Sequence, residues 1–259
     1  MMTSTATASA TAVNVRPIGV RRAWVALGLA LACALAVLLA GPCYRGGWWG
    51  LGAGIQTVVG GASAAALVFV LALLGSVLAH RRRLRRPLRL FLAAAILSLL
   101  TCVPPAVLGW QAWQLPPIHD ISTDTSNPPP FVAVLPLRQG APNSTAYSTT
   151  VAAQQQRAYP EIVPLVLALA APDVLRRAEQ VARATGWTIV AVDAAELRIE
   201  ATATTFLFGF KDVIVIRITP WAGGSRVDVR SLSRVGRSDL GANARRVRSF
   251  IQQLQAQTS

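Results

Sequence analysis

The stretch from Arg226 to Asn243 carries more regularly spaced charged and polar side chains than any other part of the C-terminal half. Its first ten residues alternate like a β-strand, in which side chains on one face recur roughly every 6.5–7 Å. One face then carries three arginines, one aspartate and one leucine: Arg226, Asp228, Arg230, Leu232 and Arg234. We call the three arginines the arginine ladder. Guanidinium groups bind carboxylate and phosphate in bidentate fashion, so the ladder is either an anion site or a structural Arg–Asp network.

The end of this stretch, Ser238 to Asn243, has the composition of a helix start. The free backbone N–H groups at a helix start can hold an anion, which makes Asp239 and Asn243 candidate ligand-binding residues. The Asp239 carboxylate would itself occupy such a site. Capping of the helix by Ser238 is therefore the competing prediction.

A third candidate group lies before the globular part of the chain, at His119, Asp120 and Asp124. These residue types can ligate a metal, or act as a base with its orienting acid. Adjacent residues rarely point at one ion, however, and the other histidine lies between apolar runs. We therefore predict no metal and no cofactor, and expect Asp120 or Asp124 to dock against the arginine ladder. Carboxylates on neighbouring strands, Glu200 or Asp212, are further possible partners for the ladder.

The charges of the chain are divided unevenly between its two halves. Residues 1–119 hold 10 arginines and no acidic residue, whereas residues 120–259 hold 15 basic and 11 acidic residues. With 53% hydrophobic residues, the chain is too apolar for an ordinary soluble domain. The arginines of the first half flank apolar runs, so the net charge of +14 predicts a membrane protein and no nucleic-acid partner.

Three apolar runs are long enough to cross a bilayer: 23–39, about 52–79 and about 90–110. Six arginines lie between the second and third runs, and the positive-inside rule places them in the cytoplasm. The N terminus then also lies in the cytoplasm, and the C-terminal domain lies outside it. We predict a multi-pass protein of the bacterial inner (plasma) membrane with a periplasmic domain. Its predicted regions are a disordered N terminus (1–22), a three-helix membrane region (23–113), a Pro-rich arm (114–158) and a folded domain (159–259).

The folded domain has the pattern of an α+β fold. A helix opens at Pro172–Asp173 and ends at Gly186, four strand-like segments follow, and a second helix runs from Asp239 to about Gln255. We predict an antiparallel sheet of about four strands backed by two helices. In the arm, the polar stretch from Gln139 to Gln156 is predicted to be a mobile loop.

Several motifs resemble an uncharacterised bacterial family, domain of unknown function 1499. They are H-D-I-S-T-D-T-S-N-P-P-P-F at 119–131, Tyr159-Pro160, F-G-F-K-D at 208–212 and V-D-V-R-S-L-S-R-V-G-R-S-D-L-G-A-N-A-R-R at 227–246. The resemblance covers about residues 115–255. It implies an envelope protein, often with membrane spans ahead of the domain, and it implies no activity and no catalytic residues.

Three functional hypotheses are compatible with the sequence. The leading one is a membrane protein whose exported domain binds a partner or an anionic ligand through the ladder. The second is an accessory subunit of a larger membrane complex, bound through the small residues of the second span. The third is an envelope hydrolase using Asp120 or Asp124, although the C-terminal half holds no cysteine and no G-x-S-x-G motif. Enzymatic activity is therefore not the leading prediction, and the lipid bilayer is the one partner that all three share.

Overall fold

A computed structural model describes residues 18–257 of the chain. The Ala/Thr/Ser-rich stretch 1–15 and Arg16, which the sequence assigns to a disordered cytoplasmic N terminus, lie outside the described residues. The chain divides into two compact units. The first comprises Met1–Ala40 and Trp49–Pro105, and the second comprises Gly41–Trp48 and Ala106–Ser259.

Three N-terminal helices are long and apolar enough to cross a membrane, as predicted, and the chain is a membrane protein. They are α1 (Ile18–Arg45), α2 (Leu51–Arg81) and α3 (Arg85–Gln114). Helix α1 already includes residues 18–22, which the sequence places in the N-terminal tail. Helix α3 continues through Pro104 and Pro105.

Within the first unit, small residues pack the helices against one another. A Cβ atom added at Gly61 would lie 2.9 Å from Val37 Cγ2 in α1, and one at Gly75 would lie 2.6 Å from the Phe91 ring in α3. Alanines dominate the buried cluster. In lipid, helix association depends on such close packing, so these small residues already serve contacts inside the chain. A site for another subunit on α2 would need its other small residues.

The globular part of the second unit, residues 115–257, is built on one antiparallel sheet of six strands, and we call it the globular domain. The strands are β1 (Asp120–Ser122), β2 (Leu165–Leu167), β3 (Thr188–Asp193), β4 (Arg198–Thr204), β5 (Lys211–Trp221) and β6 (Gly224–Ser233). Their order in the sheet is β1-β6-β5-β4-β3, and β2 also pairs with β6. The four longer strands are those predicted. Strands β1 and β2 raise the strand count above the predicted four, and both pair with the long strand β6.

One face of the sheet is covered by the two predicted helices, α5 (Ala171–Ala184) and α6 (Ala242–Ala256). Helix α5 begins with a proline in its first turn, followed by Asp173, and its buried stripe faces the sheet. Phe250 of α6 stacks on Trp187 with ring centroids 5.1 Å apart. Because Val227 and Val229 of β6 belong to the same buried cluster, this face is the main core of the domain.

The opposite face of the sheet is covered by the arm. Phe131 and Val134 pack there against Val213, Val215 and Leu232. The arm also holds helix α4 (Thr149–Ala158), so most of the second half of the predicted mobile loop (139–156) is helical. Strand β6 is therefore covered on both faces, although its alternating sequence resembles a strand with one wet face.

One side chain of the arm attaches it to the sheet by forming the backbone hydrogen bonds that a neighbouring strand would otherwise form. Gln155 of α4 accepts a hydrogen bond from the Ser122 N–H (2.9 Å) and donates one to the Ser122 carbonyl (2.6 Å). Its amide thus satisfies the free edge of β1 as another backbone would. These two hydrogen bonds hold the arm over the face of the sheet that carries the arginine ladder.

Candidate functional site

The first rung of the arginine ladder lies in a four-residue ion-pair network. Arg226 donates to Asp124 (2.6 Å) and to Asp228 (3.1 Å). Arg217 of β5, which lies opposite Asp228 in the sheet, donates to Asp228 at 2.9 Å and approaches Asp124 at 3.4 Å. Two guanidinium groups therefore face two carboxylates, and the network is locally neutral.

The second rung, Arg230, is enclosed by the arm. Its Nε and Nη2 atoms donate to the two oxygens of Asp120 at 3.0 and 2.7 Å, and Nη2 also donates to the Thr145 carbonyl at 2.7 Å. The guanidinium lies 4.8 Å from the ring centroid of Phe131 and 5.3 Å from that of Tyr147. Burial raises the pKa of the Asp120 carboxyl, and the hydrogen-bonded Arg230 opposes that effect.

Both arm aspartates thus dock against the ladder, as the sequence predicts. The anionic ligand predicted at Arg226 and Arg230 would have to displace the carboxylates of Asp124 and Asp120, which already occupy those guanidinium groups. The same pairing removes the basis of the hydrolase hypothesis, because neither aspartate is a free acid in an open cleft. Of the two hypotheses for the ladder, the structural Arg–Asp network is the one that describes Arg226 and Arg230.

The other two carboxylates considered as ladder partners are bound elsewhere, which corrects that prediction. Glu200 is fully buried and accepts hydrogen bonds from the backbone N–H groups of Val132, Ala133 and Val134 at 3.0–3.1 Å. Asp212 points to the helix-covered face and pairs with Arg246 of α6 at 2.7 Å. Each therefore fastens a covering segment to the sheet.

The start of α6 is held by Asp239, and the predicted cap by Ser238 is wrong. Helix α6 begins only at Ala242, and the Asp239 carboxylate accepts hydrogen bonds from the N–H groups of Gly241 and Asn243, both at 2.8 Å. Gly241 adopts a left-handed conformation (φ 74°), which residues with a Cβ atom rarely adopt. Burial raises the pKa of the Asp239 carboxyl. Because this carboxylate occupies the free N–H groups, no external anion is needed there.

Asn243 and His119 also have structural partners. The fully buried Asn243 side chain bonds to Ser231 Oγ (2.7 Å), to Ser233 Oγ (3.0 Å) and to the His119 carbonyl (2.9 Å). His119 Nδ1 lies 3.2 Å from the Arg237 carbonyl. Within residues 18–257, no group of three or more His, Cys, Asp or Glu side chains is placed to hold a metal ion.

The third rung, Arg234, differs from the other two because it pairs with no carboxylate in the described part of the chain. Beside it lies Arg138, at the end of a short 3-10 helix (Pro136–Arg138) of the arm. Arg138 donates to the Asn143 carbonyl (2.6 Å), and the Asn143 N–H donates to the Arg234 carbonyl (3.2 Å). The loop after the 3-10 helix thus joins the two arginines.

Lys211 lies next to Arg234. Its carbonyl accepts from the Arg234 N–H at 3.3 Å, and strand alternation places its side chain on the face of β5 that carries Val213 and Val215. Arg138, Lys211 and Arg234 are outside every ion pair formed among residues 18–257. We call these three residues the basic corner.

The basic corner contains hydrogen-bond donors that are buried and unused. Arg138 is only 7% exposed, and neither its Nη1 atom nor the Nε atom of Arg234 has a hydrogen-bond partner in the part of the chain that the structure describes. A buried donor without a partner costs about 1–3 kcal/mol, and more when it is charged. Two guanidinium donors of the corner are therefore left without an acceptor among residues 18–257.

The electrostatics of the corner agree with this geometry. Burial lowers the pKa of the Arg138 guanidinium, and the charge of Arg234 lowers it further. Burial likewise lowers the pKa of Arg234, against the attraction of Asp212. The nearby Asp120 carboxylate opposes the lowering of the Arg138 pKa, but neither arginine forms an ion pair with a carboxylate among residues 18–257.

Sequence reasoning singled out Arg234 but missed Arg138 and Lys211. Lys211 could have been predicted, because it is the first residue of the Val/Ile-rich strand that pairs with the ladder strand. Arg138 lies in an irregular stretch of the arm, where periodicity predicts no neighbour. Only the return of the arm over the sheet brings it to Arg234.

Comparison with known proteins identifies one family. A family model described as a protein of unknown function (DUF1499) matches residues 120–254, just over half of the chain. The match includes β1, the arm from Asp120 onwards, the ladder strand and most of α6. No curated protein matches the chain.

Proposed function

Because this chain belongs to the DUF1499 family of proteins of unknown function, we propose a function from its own geometry. It is an integral protein of the bacterial plasma membrane whose exported globular domain binds an anionic group at the basic corner. The observation that carries the proposal is the pair of buried, unpartnered donors on Arg138 and Arg234.

The proposed export of the globular domain is supported by the arginine distribution. Six arginines lie at 81–89, where α2 ends, the chain turns and α3 begins. The positive-inside rule assigns such a loop to the cytoplasm, and one further span then carries the chain out. In a cell with two membranes, the globular domain lies in the periplasm.

Reporter fusions test this orientation. We expect alkaline phosphatase, which is active only after export, to be active when fused at the C terminus. A fluorescent protein that matures only in the cytoplasm should stay dark at that position. Fusions after Arg83, in the arginine-rich loop, serve as the control and should show the opposite pattern. Fluorescence from the C-terminal fusion would mean that the globular domain is cytoplasmic.

The ligand class follows from the donors. Arg138 offers a buried Nη1–H, Arg234 offers Nε–H, and Lys211 adds an exposed ammonium group. Phosphate and carboxylate groups accept such bonds in forked geometry, and phosphate has enough oxygens to accept from both arginines together. A phosphate-bearing envelope molecule, such as a lipid headgroup or a cell-wall precursor, is therefore the proposed ligand.

Thermal unfolding of the full chain in detergent micelles tests the anion site. We expect inorganic phosphate to raise the Tm in a saturable manner, while chloride at matched ionic strength does not. At 100 times the dissociation constant, a single site stabilises by about 2.7 kcal/mol, which corresponds to a rise of roughly 5–10 °C in Tm for a chain of this size. Arg234→Gln should reduce that rise by more than half, because Arg234 supplies a direct hydrogen bond to the anion.

Arg237→Gln is the matched control, because Arg237 is an exposed arginine three residues further along the chain. It removes the same net charge and should leave the phosphate effect unchanged. Equal losses in both variants would indicate non-specific charge attraction and contradict a built site. A second comparison, with vesicles that contain phosphatidylglycerol, distinguishes a lipid headgroup from a soluble phosphate ligand.

Arg138→Met provides an independent test. If the corner binds an anion, this variant should lose the response to phosphate. If it instead raises the Tm without phosphate while the unmodified chain shows no response to phosphate, the unpaired guanidinium is only a cost to the fold, and the proposed function is wrong.

A further inference from the structure

The loop between β4 and β5 presents apolar side chains to the outside of the second unit. Its residues are Thr205 to Phe210, T-F-L-F-G-F, and we call it the aromatic loop. Phe206 at its tip is 94% exposed, more than any other large apolar residue of the described chain. Phe208 and Phe210 stack on one another with ring centroids 5.2 Å apart.

The aromatic loop is held in one shape by its own hydrogen bonds. The Thr205 N–H donates to the Phe210 carbonyl (2.9 Å), the Gly209 N–H donates to the Thr205 carbonyl (3.0 Å), and the Phe210 N–H donates to Thr205 Oγ1 (2.9 Å). Phe206 is therefore exposed on a closed, ordered turn. Keeping the Phe206 side chain in water on an ordered turn costs free energy, and burying it against a partner would remove that cost.

The loop contacts the end of the first membrane helix, where residues 41–48 group with the second unit. Tyr44 packs on Phe208 and Phe210 with centroid distances of 5.9 and 5.7 Å. Arg45 Nη1 donates to the Phe206 carbonyl at 3.3 Å. A Cβ atom added at Gly41 would lie 2.2 Å from the Leu207 carbonyl oxygen, so the loop backbone rests directly on the helix.

From these contacts we infer that the aromatic loop inserts into the interface of the bilayer that α1 crosses, and that Phe206 and Leu207 contact lipid. The last turn of a spanning helix lies at the level of the headgroups, because its apolar run ends there. Aromatic side chains are favoured at that level, and Arg45 can reach lipid phosphates from it. The inference is independent of the basic corner, because it depends on a different loop and on apolar contacts.

Two further aromatic residues support the choice of lipid as the occupant. Trp110 and Trp113 lie in the last turns of α3, with ring centroids 5.5 Å apart, and both are exposed. Helices α1 and α3 end on the same side of the membrane, because α2 returns between them. The aromatic loop and these tryptophans thus match the aromatic belt at one bilayer surface.

Photocrosslinking tests the inference on the full chain. Phe206 is replaced by the photoreactive residue p-benzoylphenylalanine, and the protein is reconstituted in vesicles of phosphatidylethanolamine and phosphatidylglycerol. Because Phe206 is exposed, an aromatic replacement should leave the fold intact, which circular dichroism checks. On irradiation we expect a lipid adduct on the peptide that contains residue 206.

Trp221 offers the matched control, since it is an exposed aromatic residue at the opposite end of β5, ten residues and roughly 33 Å along the strand from Lys211. The same replacement there should give several-fold less lipid adduct. Equal yields at the two positions, or crosslinks from position 206 only to a second copy of the chain, would overturn the inference. Phe206→Asp offers a second readout: its Tm should fall in vesicles relative to the unmodified chain and stay unchanged in short-chain detergent.

Discussion

Replacing Arg230 with Met is expected to destabilise the globular domain by about 3–5 kcal/mol, the usual cost of removing one partner from a buried ion pair. The Asp120 carboxylate would remain buried without its bidentate partner, and the carbonyl of Thr145 would lose its donor. Total stabilities are about 5–15 kcal/mol, so a loss of this size is a large fraction of the whole. Urea denaturation of the full chain in detergent, followed by proteolysis, measures it.

Two further variants identify the cause of that loss. Adding Asp120→Asn to Arg230→Met removes the orphaned charge, so the double variant should be more stable than the single one. Arg176→Gln is the control: Arg176 and Asp173 form a pair of similar length, 2.5 Å, but their side chains are 70% and 44% exposed. It should cost less than about 1 kcal/mol. If Arg230→Met were as mild as the control, the ladder would not be structural at its second rung.

Replacing Glu200 with Gln is expected to cost about 2–4 kcal/mol and to release the arm from the sheet. Its carboxylate accepts from three consecutive backbone N–H groups of the arm, and hydrogen bonds to a charged acceptor contribute about 1.5–3 kcal/mol each. A glutamine offers one acceptor oxygen, and its amide N–H group would face the remaining N–H donors. Limited proteolysis should therefore cut the arm between residues 128 and 138 far faster in the variant.

Glu196→Gln is the matched control, because Glu196 lies on the exposed turn before the same strand. It removes one negative charge without touching the arm, so both the stability and the cleavage rate should remain those of the unmodified protein. Rapid cleavage in both variants would show that the arm responds to net charge and is not held by Glu200.

Arg230→Met and Glu200→Gln both test how the arm is held on the sheet, because the arm is the third layer of the globular domain. Its carboxylates neutralise the first two rungs of the ladder, its apolar residues bury the second face of the sheet, and its backbone binds Glu200. A loosened arm would also move Arg138 away from Arg234. We therefore expect Glu200→Gln to weaken phosphate binding as well, without altering any residue of the basic corner.

Local patterns in the sequence were sufficient for the three membrane helices, the four long strands, α5 and the family. Each of these depends on a periodicity or a motif within one continuous stretch, such as the apolar runs for the spans or the alternation of Arg226–Val235. The alternation also predicted which side chains of β6 share a face, and the structure confirms it: Leu232 packs against the arm, whereas Val227 and Val229 pack in the core under the helices.

Only the tertiary structure decided which charge meets which. Asp120 and Arg230 are 110 residues apart in the chain, and Asp124 and Arg226 are 102 apart. The sequence favoured Asp120 or Asp124 as partners of the ladder, but it did not assign either to a particular arginine and also offered Glu200 and Asp212, which the structure pairs elsewhere. The choice depends on the path of the arm, which is set by its apolar contacts and by the Gln155 bond to β1 and has no periodic signal. The same path leaves Arg234 without a carboxylate and brings Arg138 to its side, so the candidate site is a property of the fold.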